Sequence, residues 1–514
     1  MVGLEEAELR QGLARLDEAE ILFVRGEPPQ SSYTFKHALV QEAAYESLLK
    51  RTRRQLHGRV VEVLLAQFPE RAAAQPEVMA RHAELAGQTD EAIKYYRRAG
   101  EQAQARSAHG EAISQFRKAI ALLATQPEAA QRDTHEVALQ LLLGGSLIAD
   151  RGFAHPEVEA PYERARVLCE AAGDAGRLGI AQLGLSYFHY NRGDVERGRA
   201  LSAEVLALAE AQGSAELLAT AHQTVAEPEY YQGKFASSLT HCERAFALYD
   251  PARHSEFLPT GSHIGVPALG YAAWNLWNLG WPDSALARAE EAVYLGRRLN
   301  HPFSLVRALF IESSIHRNRR DRARQQERAA EVVALSEMQG FPLFIGFGRY
   351  SYAAARVVAG DVAGLRESLE ALTLVRETGY QTPAIFYNLA ETQQAAGQLA
   401  ESRATVAEAL AISAQLAQPF FDADLHRLDG DLILATGGAP DEAAARYQQA
   451  LDIARAQEAK SLELRAATSL ARMWRDQGKR AEARDLLAPL YAWFTEGLDT
   501  GDLKDAKALL DDLA

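Results

Sequence analysis

Apolar positions along most of this chain recur at helical spacing. Beyond about residue 70 strand-like alternation nearly vanishes, and Ala, Leu, Glu, Arg and Gln dominate, which favours helix. Glycine turns punctuate the pattern at Gly87, Gly193, Gly233, Gly280, Gly360, Gly397, Gly438 and Gly478. From Gly193 onward, with "RRD" at 319–321 standing in for one missing glycine, the step is about 40 residues, a period that predicts stacked helical hairpins. The glycine caps a first helix, and the second helix starts a few residues later. Pro282 and Pro440 fall just inside such second helices, where a missing N–H costs nothing.

The hairpins align with one another. In "GQTDEAIKYYRRA" Gly87 is followed by Ala92, Tyr96 and Ala99; "GAPDEAAARYQQA" repeats this with Gly438, Ala443, Tyr447 and Ala450. Further copies are Ala112, Phe116, Ala119, then Ala285, Ala289, Ala292, then Ser402, Val406, Ala409. A small residue also stands seven positions before seven of these turns: Ala80, Ser186, Ala226, Ala273, Ala353, Ala390 and Ala471. Small residues let two antiparallel helices approach closely, and the larger one fills the space between hairpins. In this spacing the chain resembles the tetratricopeptide repeat (TPR) family, with units longer than the usual repeat of about 34 residues.

The first 60 residues read differently. Leu9, Leu13 and Leu16 mark a helix, "ILFVRG" (21–26) and "SYTFKH" (32–37) two strands around the turn-rich "EPPQSS", and a helix follows from about Ala38. That order matches the closing half of a winged helix. The expected fold is therefore all-α, a TPR-like superhelix over 69–514 preceded by a partial winged-helix segment over 1–68.

Total charge narrows the function. The 514 residues carry a formal net charge of −14, which argues against a general nucleic-acid binder. Lys50, Arg51, Arg53, Arg54 and Arg59 form one local basic stretch, expected to be a solvated helix face or a docking face. Cys169 and Cys242 cannot make a disulfide framework, and no CxxC pattern is present. The longest oily stretch, "VALQLLLGGSLIA" (137–149), is too short to span a bilayer. A cytoplasmic protein with no membrane or nucleic-acid partner is expected.

"YTFKHALVQEAAYESLL" (33–49) resembles the winged helix that ends the ATPase module of bacterial STAND signalling proteins, and "AKSLELRAATSLARMWRDQGKRAEARDLLAPLYAWFTEGLDTGDLKDAKALL" (459–510) resembles the end of the same proteins. There a class III adenylate/guanylate cyclase domain, an ATPase domain, this winged helix and TPR-like repeats often follow in that order. The resemblance implies an upstream ATPase or cyclase partner, and a nucleotide contact from His37 of "FKH" if an ATPase domain is supplied. A phosphate loop needs G-x-x-x-x-G-K-[ST]; "DQGKRAE" and "YQGKFAS" lack its first glycine and hydroxyl. No catalysis and no cofactor are therefore expected of this stretch, and for His37 alone a bond to a neighbouring backbone group is the expected role. His254 and His263 share an inserted loop (249–267) with Asp250, in no known metal-ligand spacing; the loop is expected to cover a hairpin end rather than bind metal.

One constellation points to recognition. Positions six, three and two before each turn share a helix face. They are Tyr187, Tyr190 and Asn191; Glu227, Tyr230 and Tyr231; Trp274, Trp277 and Asn278; Ser314, Arg317 and Asn318. Singly, each ring is expected to pack between first helices. As a set, aromatics and amides suit a groove for a peptide, protein or small ligand. Pro228 falls in the series and leaves the carbonyl of Thr224 without its helical partner, so a kink that opens polar backbone to the groove is expected. The reading is a non-catalytic sensor or interaction arm of a signalling ATPase or cyclase. The alternatives are a sugar-like-ligand sensor arm of an ATP-dependent transcription activator, which the chain also resembles, and a stand-alone TPR scaffold.

Overall fold

A computed structural model describes residues 6–26, 31–127, 130–251, 262–380 and 382–514. The chain forms two compact units, Met1–Gln102 with Ser114–Glu128, and Ala103–Ile113 with Ala129–Ala514.

The first unit begins with helix Glu6–Glu18 and the antiparallel strands Leu22–Arg25 and Ser32–Phe35, paired from Leu22↔Phe35 to Arg25↔Ser32. Helices Ala38–Glu46 and Lys50–Gln67 follow. Little of this is covered. Leu22 and Val61 are buried, but Phe23, Leu39 and Leu49 are 55%, 78% and 77% exposed. Burial begins in earnest with helix Pro76–Ala86, where Met79, Ala80 and Ala83 are sealed.

The second unit is a succession of helical hairpins, of which Ala175–Asn191 with Val195–Gln212, Ala215–Tyr231 with Phe235–Leu248, and Gly265–Leu279 with Pro282–Leu299 are typical. Helix Gly501–Asp512 ends it. The fold is the TPR-like superhelix that the pattern predicts. Its small–large–small positions are the core: Ala285, Ala289, Ala292, Ser402, Val406, Ala409, Ala443, Tyr447 and Ala450 are all buried. Serine at the small positions adds a hydrogen bond across the turn. Ser238 Oγ donates to the carbonyl of Ala226 at 2.6 Å, and Ser402 Oγ to that of Ala390 at 2.7 Å. Arg320 takes the left-handed conformation (φ +61°) of the missing glycine. In the 436–440 turn that conformation belongs to Gly437, not Gly438, because this loop is one residue longer before Pro440 opens the next helix.

The second unit also folds back on itself. The turns of its central hairpins pack against its C-terminal helices: Gly193 on Leu416, Gly233 on Gln457, and Gly280 on Trp493 and Lys460. A Cβ at Gly280 would lie 2.6 Å from the Trp493 ring, so glycine serves close approach there as well as φ +96°. Polar bonds lock this seam. The Glu496 carboxylate accepts the backbone N–H groups of Asp283 and Ser284, both at 2.9 Å, at the start of helix Pro282–Leu299. Arg319 pairs with Asp283 at 2.7 Å and Asp499 at 3.1 Å. Among the described residues no helix is long and apolar enough to cross a membrane.

Candidate functional site

The first helices of the hairpins carry the aromatic series, and the structure divides it. Tyr230, Tyr231, Trp274, Arg317 and Asn318 line one cavity of ≈ 110 Å³. Tyr230 stacks on Trp274 (centroids 5.6 Å apart, planes at 27°), and Trp274 Nε1 donates to Ser314 Oγ at 2.6 Å. The Tyr231 hydroxyl meets those of Tyr271 at 3.0 Å and Tyr380 at 3.3 Å. These bonds fix the rings as a wall.

The other members of the series serve the fold. Tyr187 packs on Phe153 with centroids 6.0 Å apart, and Tyr190 lies over Gly198. Asn191 and Asn278 donate to the carbonyls of Tyr187 (2.8 Å) and Trp274 (2.9 Å), one turn back in their own helices. Trp277 is buried beneath the Arg465 guanidinium, 5.6 Å from its ring, and its carbonyl accepts Ser461 Oγ. Glu227 faces Arg307 at 3.7 Å in an ion pair with side chains 6% and 8% exposed. Burial pushes the Glu227 carboxyl above the ordinary carboxylate range, and Arg307 opposes that shift.

Pro228 does not expose backbone as expected. It sits buried within helix Ala215–Tyr231, and the carbonyl of Thr224 accepts Ser202 Oγ at 3.1 Å. The freed acceptor points at the preceding hairpin, where a serine at the middle, normally large, position of the small–large–small set supplies the donor.

The sequence pattern missed the opposite wall. Phe310 and Tyr350 stand ten residues before Arg320 and Gly360, one helical turn further along the face used for the series. Extending the face by that turn finds both. Phe347 stacks on Phe310 at 4.6 Å and 11°. Phe420, from a short 3-10 helix, approaches Tyr230 at 5.2 Å and Tyr231 at 5.1 Å; no periodicity marks it. Between the rings, Thr382 Oγ1, Asn388 Oδ1 and Arg317 Nη1 are buried without a hydrogen-bond partner among the described residues. The three residues line this cavity.

Elsewhere, His37 is exposed at the start of helix Ala38–Glu46, and its ring caps no backbone group, which corrects the expected backbone bond. Lys50, Arg51, Arg54 and Arg59 line an open surface cleft of ≈ 750 Å³, and Arg53 pairs with Glu46 at 2.7 Å. His263 is buried beside the Tyr249 hydroxyl (3.1 Å); His254 lies outside the described residues. Among the described residues no cluster of His, Cys, Asp and Glu is arranged to hold a metal.

No protein-family profile matches the chain. An uncharacterized protein of Rhizobium meliloti (strain 1021) is 27% identical over 466 residues, covering 86% of this chain and 43% of that protein, so the chain spans less than half of this relative's length. Among solved structures, a Rap protein complexed with competence and sporulation factor aligns with TM-score 0.51 and 12% identity, over 72% of this chain and 99% of that one. The Cut9 and Hcn1 hetero-tetramer of the APC/C aligns with TM-score 0.49 and 13% identity, over 93% of this chain and 94% of that one. At such identities the Rap likeness speaks for the fold, and the chain is similar to it in architecture: a TPR-like helical superhelix.

Proposed function

We propose that this chain is the sensor arm of a bacterial cytoplasmic signalling ATPase or nucleotide cyclase, and that it captures a ligand or peptide segment in the aromatic cavity. One observation carries the binding role: three buried, unpartnered polar atoms from Arg317, Thr382 and Asn388 line a chamber otherwise walled by rings. Each unpaired polar group costs about 1–3 kcal/mol in a folded protein, and a ligand with matching groups recovers that cost. Rings supply apolar contact at fixed positions, while the polar atoms set orientation. A solved Rap protein of similar fold is complexed with competence and sporulation factor, and capture by a superhelix is the role proposed here.

The link to an ATPase rests on the first unit. Its helix–strand–strand–helix order matches the closing half of a winged helix, and its exposed Phe23, Leu39 and Leu49 suit a surface that a neighbouring domain covers. His37, exposed beside them, is free to meet a nucleotide held by that domain. Ligand binding would act by favouring one of two arrangements of arm and ATPase, through differential affinity for them.

Calorimetry with N-acetyl-L-phenylalaninamide tests the cavity. Saturable binding to the wild-type chain is expected, with loss in Ala384→Leu, which adds three heavy atoms at the cavity wall. Binding that survives Ala384→Leu unchanged, or no saturable binding to the wild type, refutes the cavity as the ligand site.

A further inference from the structure

Arg317 and Asn318 also line a second cavity of ≈ 240 Å³, so the two chambers share a wall. The second is rich in arginine, and its arginines are of two kinds. Arg320 pairs with Asp502 (2.8 Å) and Asp505 (2.7 Å); Arg465 with Asp502 (2.6 Å) and Asp424 (2.9 Å); Arg427 with Asp424 (3.2 Å) and Asp431 (2.6 Å). Those are ordinary structural pairs. Arg317, Arg322 and Arg472 line the same chamber, and among the described residues no carboxylate lies within ion-pair distance of them.

The partners of the two inner arginines, Arg317 and Arg322, are neutral. Arg322 Nη1 donates to Gln325 Oε1 at 3.0 Å and to the carbonyl of Arg317 at 3.4 Å. Arg317 Nη2 donates to Asn318 Oδ1 at 3.1 Å, and its Nη1 has no hydrogen-bond partner among the described residues. Glu391, on the facing helix Pro383–Ala395, accepts the Tyr387 hydroxyl at 2.7 Å. Burial, and the charges of Arg317, Arg320 and Arg465, hold the Arg322 guanidinium below its usual pKa against the pull of Glu391. Partly buried cations without a counter-ion are costly, and the fold spends no internal carboxylate on these two. A guanidinium fork matches a planar carboxylate or a phosphate in two-point contact.

Size joins this chamber to the first. An apolar cavity of about 150 Å³ takes a benzene-sized group, and the aromatic cavity at ≈ 110 Å³ is of that order. It therefore suits one side chain rather than a whole ligand. We propose that the two chambers together recognise a carboxylate carried next to an apolar side chain, the side chain among Tyr230, Trp274 and Phe347 and the carboxylate between Arg317 and Arg322. This rests on the aromatic cavity being the ligand site. The chemistry is that of a peptide's free C terminus or of a small apolar acid.

The test compares N-acetyl-L-phenylalanine with N-acetyl-L-phenylalaninamide on the full chain, by calorimetry at low salt. The acid is expected to bind about tenfold or more tightly than the amide, since charge-assisted bonds are the stronger kind. The preference should shrink with added salt and disappear in Arg317→Gln and Arg322→Gln. Arg322→Lys, which keeps charge but not the fork, should fall between. Arg472→Gln, at an exposed position that the fold tolerates, should lower the preference severalfold even if the inner variants prove unstable in melting curves. A peptide ending in free phenylalanine that outbinds the N-acetyl acid identifies a C terminus as the source; equal binding identifies a small acid. Equal affinity for acid and amide overturns this inference and leaves the aromatic cavity standing. Binding of neither overturns both. Inorganic phosphate binding as tightly as the acid shows that no apolar neighbour is read, and overturns it too.

Discussion

Replacing Arg307 by methionine should expose the cost of holding Glu227 inside the superhelix. The two groups lie 3.7 Å apart with almost no solvent contact. At an effective dielectric of about 20 their attraction is about 4 kcal/mol, set against the loss of hydration of both. Removing Arg307 alone leaves a buried carboxylate without compensation, and about 3–5 kcal/mol of destabilisation is expected. The Arg307→Met, Glu227→Gln double variant removes both charges and should recover most of that. A pH dependence follows. Burial already raises the Glu227 carboxyl and Arg307 restrains it; without Arg307 it rises further. A carboxyl raised in the folded state contributes stability that is complete below its unfolded value and is lost as pH rises through the folded value. Arg307→Met should thus be less destabilised at pH 5 than at pH 8, while the double variant shows no such difference. Urea unfolding followed by circular dichroism at the two pH values measures both. Equal losses in single and double variants, with no pH dependence, would show that Glu227 and Arg307 are not an energetic pair.

Ser202→Ala should cost about 1–3 kcal/mol, because it orphans the Thr224 carbonyl that Pro228 leaves free. In a Pro228→Ala background, where an N–H can return to that carbonyl, the same substitution should cost less; equal costs in denaturant titrations would break the link. In hydrogen exchange, the strands Leu22–Arg25 and Ser32–Phe35 should lose protection at least about 100-fold sooner than helix Gly265–Leu279, because a two-stranded sheet with little covered surface is marginal by itself. Equal protection would mean that the N-terminal hairpin needs no covering partner.

The hairpins were legible in the sequence because close helix packing demands small residues at fixed intervals, so that Ala285, Ala289 and Ala292 announce themselves by spacing. The first unit's strands were legible for the same kind of reason, alternation next to turn residues. The site was legible only in part. Spacing placed Tyr230, Trp274 and Arg317 on one helix face, yet it placed Tyr190 and Trp277 there equally. Which of them meets a cavity depends on what the superhelix brings opposite, such as Phe420 and Tyr380, from far along the chain. Contacts of that kind repeat with no local period. Nor does residue type reveal that the carbonyl freed by Pro228 has a serine waiting for it.

The seam has a consequence for how this array can vary. An open solenoid is a sum of neighbouring units, so gaining or losing one shortens or lengthens the rod and leaves the others as they were. Here Gly193, Gly233 and Gly280 each meet a specific side chain of the returning helices, and Glu496 caps a helix 212 residues away at Ser284. Deleting one hairpin between Ser284 and Leu416 would bring all three glycines opposite the wrong partners and shift Glu496 away from the helix start that it caps. The repeat count is thereby locked in phase, as the number of staves is in a barrel. Changes to this protein are accordingly confined to side chains and loop lengths, with whole-unit duplication or loss closed to it.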